Sequence, residues 1–267
     1  MNRRTFLALG GSAAALAAAS CRTADPGPGV LRVLTYNLHH GEGTDGRLDL
    51  ERIAGIIRNA APDLVALQEV DRRATRTGQI DQPAEYIRLT GLQGWYGAAM
   101  PFQGGEYGQL ILSRRPLLQP RVVRLPGSAG REPRIATTAL VEIPRLGRLR
   151  WACCHLDASR SDDDRWEQAG ALLKEFGHEN LPTLLGGDFN ATPESRVMGR
   201  LLAADTGWID TAGASAAPTS PAEAPRSRID YILAHPGTAW RTLSSHVLAE
   251  SVASDHRPVL VELAYQG

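Results

Sequence analysis

From Val30 to the C-terminus, short apolar runs alternate with segments whose apolar residues recur every three or four positions, and no stretch repeats another. "VLRVLTYNLHH" and "DLVALQEV" read as strands. Between them "LDLERIAGIIRNAAP" places Leu50, Ile53, Ile56 and Ile57 at helical spacing, so the chain opens as a β-α-β unit. From "WYGAAM" through "YGQLILSR", "PLLQPRVVRLP", "RIATTALVEIP" and "RLRWACCHLD", the middle is strands joined by short turns bearing Gly and Pro. Helices then return. "SDDDRWEQAGALLKEFG" offers Ser161 as N-cap and Trp166, Ala169, Leu173 and Phe176 as one face, and "ESRVMGRLLAAD" follows a short strand through Leu184 and Leu185. Residues 211–226, rich in Ala, Ser and Pro, are expected to form a surface loop, and "RIDYILAH", "WRTLSSHVL" and "VLVELAY" close the chain as strands. The strand runs lie too close together for helical crossovers throughout, so a mixed α/β sandwich fits better than a doubly wound parallel sheet.

The apolar strands end in polar residues of a recurring kind. "LPTLLGGDFNATP" runs from a core strand into Asp188 and Asn190. "VLTYNLHHG" ends on Asn37, "LVALQEVD" on Glu69 and "WACCHLD" on His155. "RIDYI" embeds Asp230, and "ASDHRPV" sets Asp255 and His256 just before a strand. One such carboxylate is an ordinary turn residue, but the repeated pattern points to a shared site, because ligand sites in α/β sheets gather at strand ends. The oxygen donors Asn37, Glu69 and Asp255 suit Mg²⁺ or Mn²⁺, and the histidines supply proton transfer near neutral pH. Zinc fits less well: His39, His40, His155 and His256 lie near these motifs, but Asp, Glu and Asn dominate them. His39 or His40 is either a substrate contact or a ring packed beside the strand end.

Charge adds no polyanionic partner, since 29 basic residues balance 29 acidic ones. Long nucleic acid is unsupported on that ground, and no linker divides the 267 residues, so one α/β domain over residues 30–267 is expected. The start reads differently. "MNRRTFLALGGSAAALAAASC" joins Arg3 and Arg4 to a mild apolar run interrupted by Gly10 and Gly11, an export signal of the twin-arginine type over residues 1–21 rather than a membrane span. Cys21 behind Ala18-Ala19-Ser20 resembles a weak lipoprotein cleavage box, and residues 22–29 would form a flexible linker from that membrane tether. A periplasmic or membrane-anchored monomer is the expectation. Cys153 and Cys154 are neighbours, a poor geometry for a disulfide, and read as buried free thiols.

Taken in order, "TYNLHHG", "LQEVD", "YGQLILSR", "HLD", "GGDFN", "RIDYI" and "SDHRP" resemble the endonuclease/exonuclease/phosphatase superfamily over about residues 30–265. The resemblance implies a four-layered α/β sandwich, two mixed sheets packed face to face between helices, and divalent-metal hydrolysis of a phosphoester at one end of the sheets. It assigns Glu69, Asn37 and Asp255 to the metal. His256 would take a proton from water or bind the phosphate, with Asp230 orienting it. Asp188 would align the attacking water, Asn190 would donate to the phosphoryl oxygens, and His155 would stand as a second histidine near the phosphate.

"GREPRIA" resembles a segment with which deoxyribonuclease I contacts backbone phosphate, making Arg131 a candidate substrate ligand with Arg134 behind it, and "EVDRRATRTGQIDQ" offers Arg73 or Arg76. For each, solvated surface is the competing reading, as capping of a turn is for Asp157. Tyr107-Gly108-Gln109 departs from the Tyr-Gly-Asn of many relatives, which bears on specificity and not on reaction class. The expected function is an exported Mg²⁺- or Mn²⁺-dependent phosphodiesterase or phosphatase acting on a small or lipid-derived phosphoester. The alternatives are a secreted nuclease and a non-catalytic binding protein.

Overall fold

The computed structural model describes residues 30–177, 181–213 and 216–267. The expected export signal, linker and Cys21 lie outside them. No described helix is long and apolar enough to cross a membrane. Among the described residues, twelve strands and four α-helices follow in the order β1 (Val30–Asn37), α1 (Leu50–Ala60), β2 (Leu64–Arg72), α2 (Gln82–Thr90), β3 (Gln93–Phe102), β4 (Gly105–Ser113), β5 (Leu117–Arg124), β6 (Ile135–Ile143), β7 (Gly147–His155), α3 (Asp163–Phe176), β8 (Thr183–Asp188), α4 (Arg196–Leu201), β9 (Ile209–Asp210), β10 (Asp230–His235), β11 (Trp240–Val247) and β12 (Val259–Tyr265).

The strands form two six-stranded sheets, ordered β11-β12-β1-β2-β4-β3 and β5-β6-β7-β8-β10-β9. Each is antiparallel except for one central parallel pair, β1 with β2 and β7 with β8. A parallel pair needs a crossover, and α1 and α3 supply the two. Alternation along each strand then sorts the core into layers. Val33, Leu64, Ala66 and Ile111 of the first sheet meet Ala139, Leu149, Trp151, Leu184 and Ile232 of the second. Their neighbours Leu34, Val65 and Leu67 face outward under Ile53 and Ile57 of α1 and Tyr86 of α2, and Leu185 and Tyr231 under Leu172 and Phe176 of α3. The result is the four-layered α/β sandwich, helix on sheet on sheet on helix.

The same alternation separates the cysteines. Cys153 lies between the sheets and Cys154 on the outer face, both free. Burial pushes both thiols up, Cys153 to about 12, so neither is a nucleophile near neutral pH.

Three expectations need adjustment. The N-cap of α3 is Asp162 rather than Ser161, and its buried stripe is Arg165, Gln168, Ala169, Leu172 and Phe176. Trp166 instead lies beneath the guanidinium groups of Arg196 and Arg200, at 5.2 and 4.4 Å. In the loop expected over residues 211–226, the described residues do more than cover the surface: Thr211, Thr219 and Ala222 are buried, and Ala222 N donates to Asp255 O at 2.7 Å, because residues 219–222 close over the start of β10.

The two glycines before Asp188 are demanded by close approach. A Cβ on Gly186 would lie 3.0 Å from Trp151 and 3.1 Å from Ala66, across the gap between the sheets. On Gly187 it would fall 2.2 Å from Cys154 O, inside the β7 backbone. Gly187→Ala is therefore expected to cost about 1–3 kcal/mol, the usual range for overpacking. Urea unfolding reads it as a lower midpoint at unchanged slope, and a midpoint equal to the wild type would show that the two strands separate freely.

Candidate active site at the strand ends

Register brings the polar ends together. Asp188 closes β8 opposite His155 of β7 on one side and Asp230 of β10 on the other, and in the other sheet Asn37 pairs with Gln68. The β2–β4 ladder slips between Leu67 and Val70, and inside that irregularity Glu69 takes φ +58°. Such a bulge re-aims a side chain. The Asn37 amide, Nδ2, donates to Glu69 Oε1 at 3.1 Å and to Asp188 Oδ2 at 3.0 Å, spanning the two sheets. His155 Nε2 lies 3.5 Å and His256 Nε2 3.8 Å from the same Asp188 oxygen. His256 Nδ1 sits 2.9 Å from Asp230 Oδ2, which also accepts from Thr219 Oγ1 at 2.5 Å. Asn190, at φ +48°, donates its backbone N–H to Asp188 Oδ1 at 2.8 Å and its side-chain amide to Leu156 O at 3.1 Å.

Burial sets the charges. It is the largest influence on Asp188, reinforced by Asp230 and resisted by His256 and by hydrogen bonds from Asn190 and Asn37, and it pushes this carboxyl up to about 7. Burial alone would lower His256, but the charge and hydrogen bond of Asp230, then Asp188 and Asp255, outweigh it and raise the imidazole to about 10. His155 goes the other way: burial, then Arg134 and His256, hold it well below the usual range. Although 3.5 Å from a carboxylate, His155 is thus neutral and no ion pair forms there. Glu69 keeps part of its surface at the mouth of the site, yet dense packing desolvates its carboxylate and raises it. The Asn37 hydrogen bond opposes that and Asp255 adds to it.

Two groups of side chains have the chemistry to hold a divalent cation. Asp188, Asp230 and His256 offer ligand atoms within 4.8 Å of one another, all three buried. Glu69 and Asp255, whose charges oppose each other, and Asn37 beside them are hard oxygen donors of the kind Mg²⁺ or Mn²⁺ takes.

The remaining candidates divide. Arg134 is buried 7% exposed, paired to Glu132 at 3.1 Å, and lines a small cavity with Tyr107, Gln109 and His155. Arg131 instead sits exposed on a turn closed by its N–H to Ser128 O, and Arg73 points to Asp81 at 3.3 Å with its side chain 72% exposed, so neither joins the cluster. His40, half-buried at φ +45°, flanks it. Asp157 caps a turn, accepting from Ser159 N at 2.8 Å. Gln109 reaches across to the other sheet, donating to Ile135 O at 3.1 Å. Sequence reasoning missed Thr219, which lies in a segment with no distinguishing pattern. It also missed Ser254, whose Oγ donates to Asn37 O at 2.7 Å and whose place beside Asp255 was the available signal.

The family model described as the Endonuclease/Exonuclease/phosphatase family matches residues 34–256, and the chain belongs to that family. Among solved structures it is similar to an endonuclease/exonuclease/phosphatase from Beutenbergia cavernae, with 31% identity, TM-score 0.77, and 89% of this chain and 72% of that one covered. The fold is shared by the mannosyl-6-phosphatase of Bacteroides thetaiotaomicron, at 20% identity, TM-score 0.72, and 88% and 100% coverage. It is shared too by the catalytic domain of human nocturnin, solved with a bound sulfate anion, at 21% identity, TM-score 0.73, and 89% and 95% coverage. No curated protein matches the chain.

The Asp188 shift carries a sign. A carboxyl raised from 3.8 to about 7 on folding holds its proton more tightly in the native state, so its contribution to stability declines as pH rises through that interval. With chelator present, the melting temperature of Asp188→Asn relative to wild type is expected to climb between pH 4 and about 7 and level off above it. A difference that is flat or falls with pH would contradict the raised carboxyl.

Proposed function

We propose that the protein is an exported, divalent-metal-dependent phosphodiesterase or phosphatase acting on a small or lipid-derived phosphoester. One observation carries the reading: Asn37, Glu69, His155, Asp188, Asp230 and His256, drawn from both sheets, converge through contacts of 2.9 to 3.8 Å. Glu69, Asn37 and Asp255 would hold Mg²⁺ or Mn²⁺, which supplies charge neutralisation at the phosphoryl oxygens. Asp188, poised near neutrality, orients the attacking water and accepts its proton. Of the two roles open to His256, the charged form held by Asp230 favours binding the phosphate and giving a proton to the leaving oxygen. Neutral His155 and the Asn190 amide donate to the remaining oxygens, and Arg134 adds positive charge behind Tyr107. The balanced net charge supports a small substrate over a duplex, whereas exposed Arg131 favours the second reading, a secreted nuclease.

The test is one panel on the mature protein: aryl phosphate mono- and diesters, sphingomyelin, phosphoinositides and plasmid DNA, each with Mg²⁺, Mn²⁺ or chelator. Hydrolysis of a small or lipid ester that stops with chelator is expected, and Glu69→Gln should need at least about tenfold more Mg²⁺ for half-maximal rate, because it loses a charged ligand. Rapid plasmid nicking that falls steeply with salt would instead establish the nuclease, and full activity in chelator would remove the metal from the reading.

Export rests on Arg3 and Arg4 and the apolar run behind them, and a membrane tether on Cys21. Changing both arginines to Lys should leave precursor in the cytoplasm on fractionation. Unchanged periplasmic or membrane-bound product would discard the twin-arginine assignment.

A further inference from the structure

Beside the Glu69 end of the cluster, a second constellation is built with more care than stability asks for. Asp71, fully buried two residues after Glu69, takes Arg76 Nε at 2.7 Å and Nη2 at 2.8 Å, with Thr77 Oγ1 on the same carboxylate at 3.3 Å. The guanidinium lies 4.5 Å over the Phe102 ring and 5.6 Å from that of Tyr107, which lines the cavity shared with His155. The N–H of Arg76 donates to Gln103 Oε1 at 2.9 Å. Gln82, also fully buried, accepts from Asp71 N at 2.9 Å and donates to His40 O at 2.6 Å, so one amide ties this arginine's anchor to the turn that carries His40.

A buried ion pair contributes little net stability, and its effect is to hold one geometry. Here the geometry leaves the Arg76 side chain 27% exposed. Nε and Nη2 are spent on Asp71, so the outer nitrogen Nη1 is what the arginine presents. His40 sits in the left-handed region at φ +45°, with Nδ1 buried and unpartnered and Nε2 3.7 Å from Glu42. Strain of this kind persists where the surroundings over-determine it, often at ligand sites. Gln82 links the arginine's anchor Asp71 to the His40 backbone, and burial of the ring, then the charge of Arg76, disfavour its protonation. A fixed guanidinium beside a neutral imidazole, which carries one N–H, can donate to an anionic oxygen from both groups without a second charge.

We infer that Arg76 and His40 form a second anion subsite flanking the catalytic cluster, and that the substrate is a phosphoester bearing a further phosphate or carboxylate on the same molecule. This rests on the hydrolase reading above and names the kind of substrate that site takes. Arg73, three residues earlier, is excluded from the role because it points away to Asp81.

The experiment compares matched pairs on the protein with Mg²⁺: fructose 1,6-bisphosphate against fructose 6-phosphate, and 3-phosphoglycerate against glycerol 3-phosphate. Each is read as a ratio of kcat/KM and, without turnover, as thermal stabilisation by the same compounds. The doubly anionic member of at least one pair should be preferred about tenfold or more, the pair identifying phosphate or carboxylate, and His40→Gln should reduce that preference severalfold. Arg76→Ala alone would strand the Asp71 charge, so the double variant Asp71→Asn/Arg76→Ala is used, and it too should lose the preference. Equal ratios for both pairs in the wild type, or a preference that survives both variants, would overturn the subsite. Failure to hydrolyse any phosphoester in the broader panel would instead reject the hydrolase reading, while the stabilisation measurement still reports on the anion subsite.

Discussion

The side-chain amide of Asn37 spans the two sheets at the heart of this site. Asn37 Nδ2 reaches Glu69 within its own sheet and Asp188 in the opposite one, 151 positions along the chain. That bridge exists only if the two sheets meet at the right separation and offset. Trp151 helps set both, filling the interior and donating Nε1 to Val65 O of the other sheet at 3.3 Å, while Gly186 leaves room for it. A strand slipped by one residue would turn Asp188 or Asn37 to the opposite face and exchange core side chains for outward ones, so the packing that stabilises the fold also fixes the site's geometry.

What the site gains from this rigidity is control of charge. Asp188, His155 and His256 would be costly to bury singly, and together they are pushed in different directions: the Asp188 carboxyl up, the His256 imidazole up, and the His155 imidazole down. One carboxyl and two imidazoles of ordinary chemistry thereby become distinct reagents within a few ångströms. Backbone conformation contributes as well. Glu69 takes a left-handed φ at the irregularity in β2, and Asn190, His39 and His40, of types that tolerate that region, take it just beyond β8 and β1.

The alternation of apolar and polar positions was enough to read most strands and helices, the sandwich class, and the residues that end strands at the site. The errors fell where neighbours in space decide. The stripe on α3 rotated because Arg196 and Arg200 cover Trp166, and Thr219 was invisible because its role depends on a segment folding over β10. Arg131 and Arg134 are three residues apart with the same chemistry, and only the turn at Ser128 leaves one in solvent and the other against the wall with His155.

The sequence by itself determined the alternation of faces along the strands and which residue types close them, because those follow from the two-residue period of a strand and the preference of Asp, Asn and Gly for its ends. Tertiary structure alone decided which of those residues meet, which arginine is clamped and which is free, and how each carboxyl and imidazole is protonated. Distance across sheets, and the desolvation that shifts a pKa, come from long-range register and burial, which a local pattern does not encode.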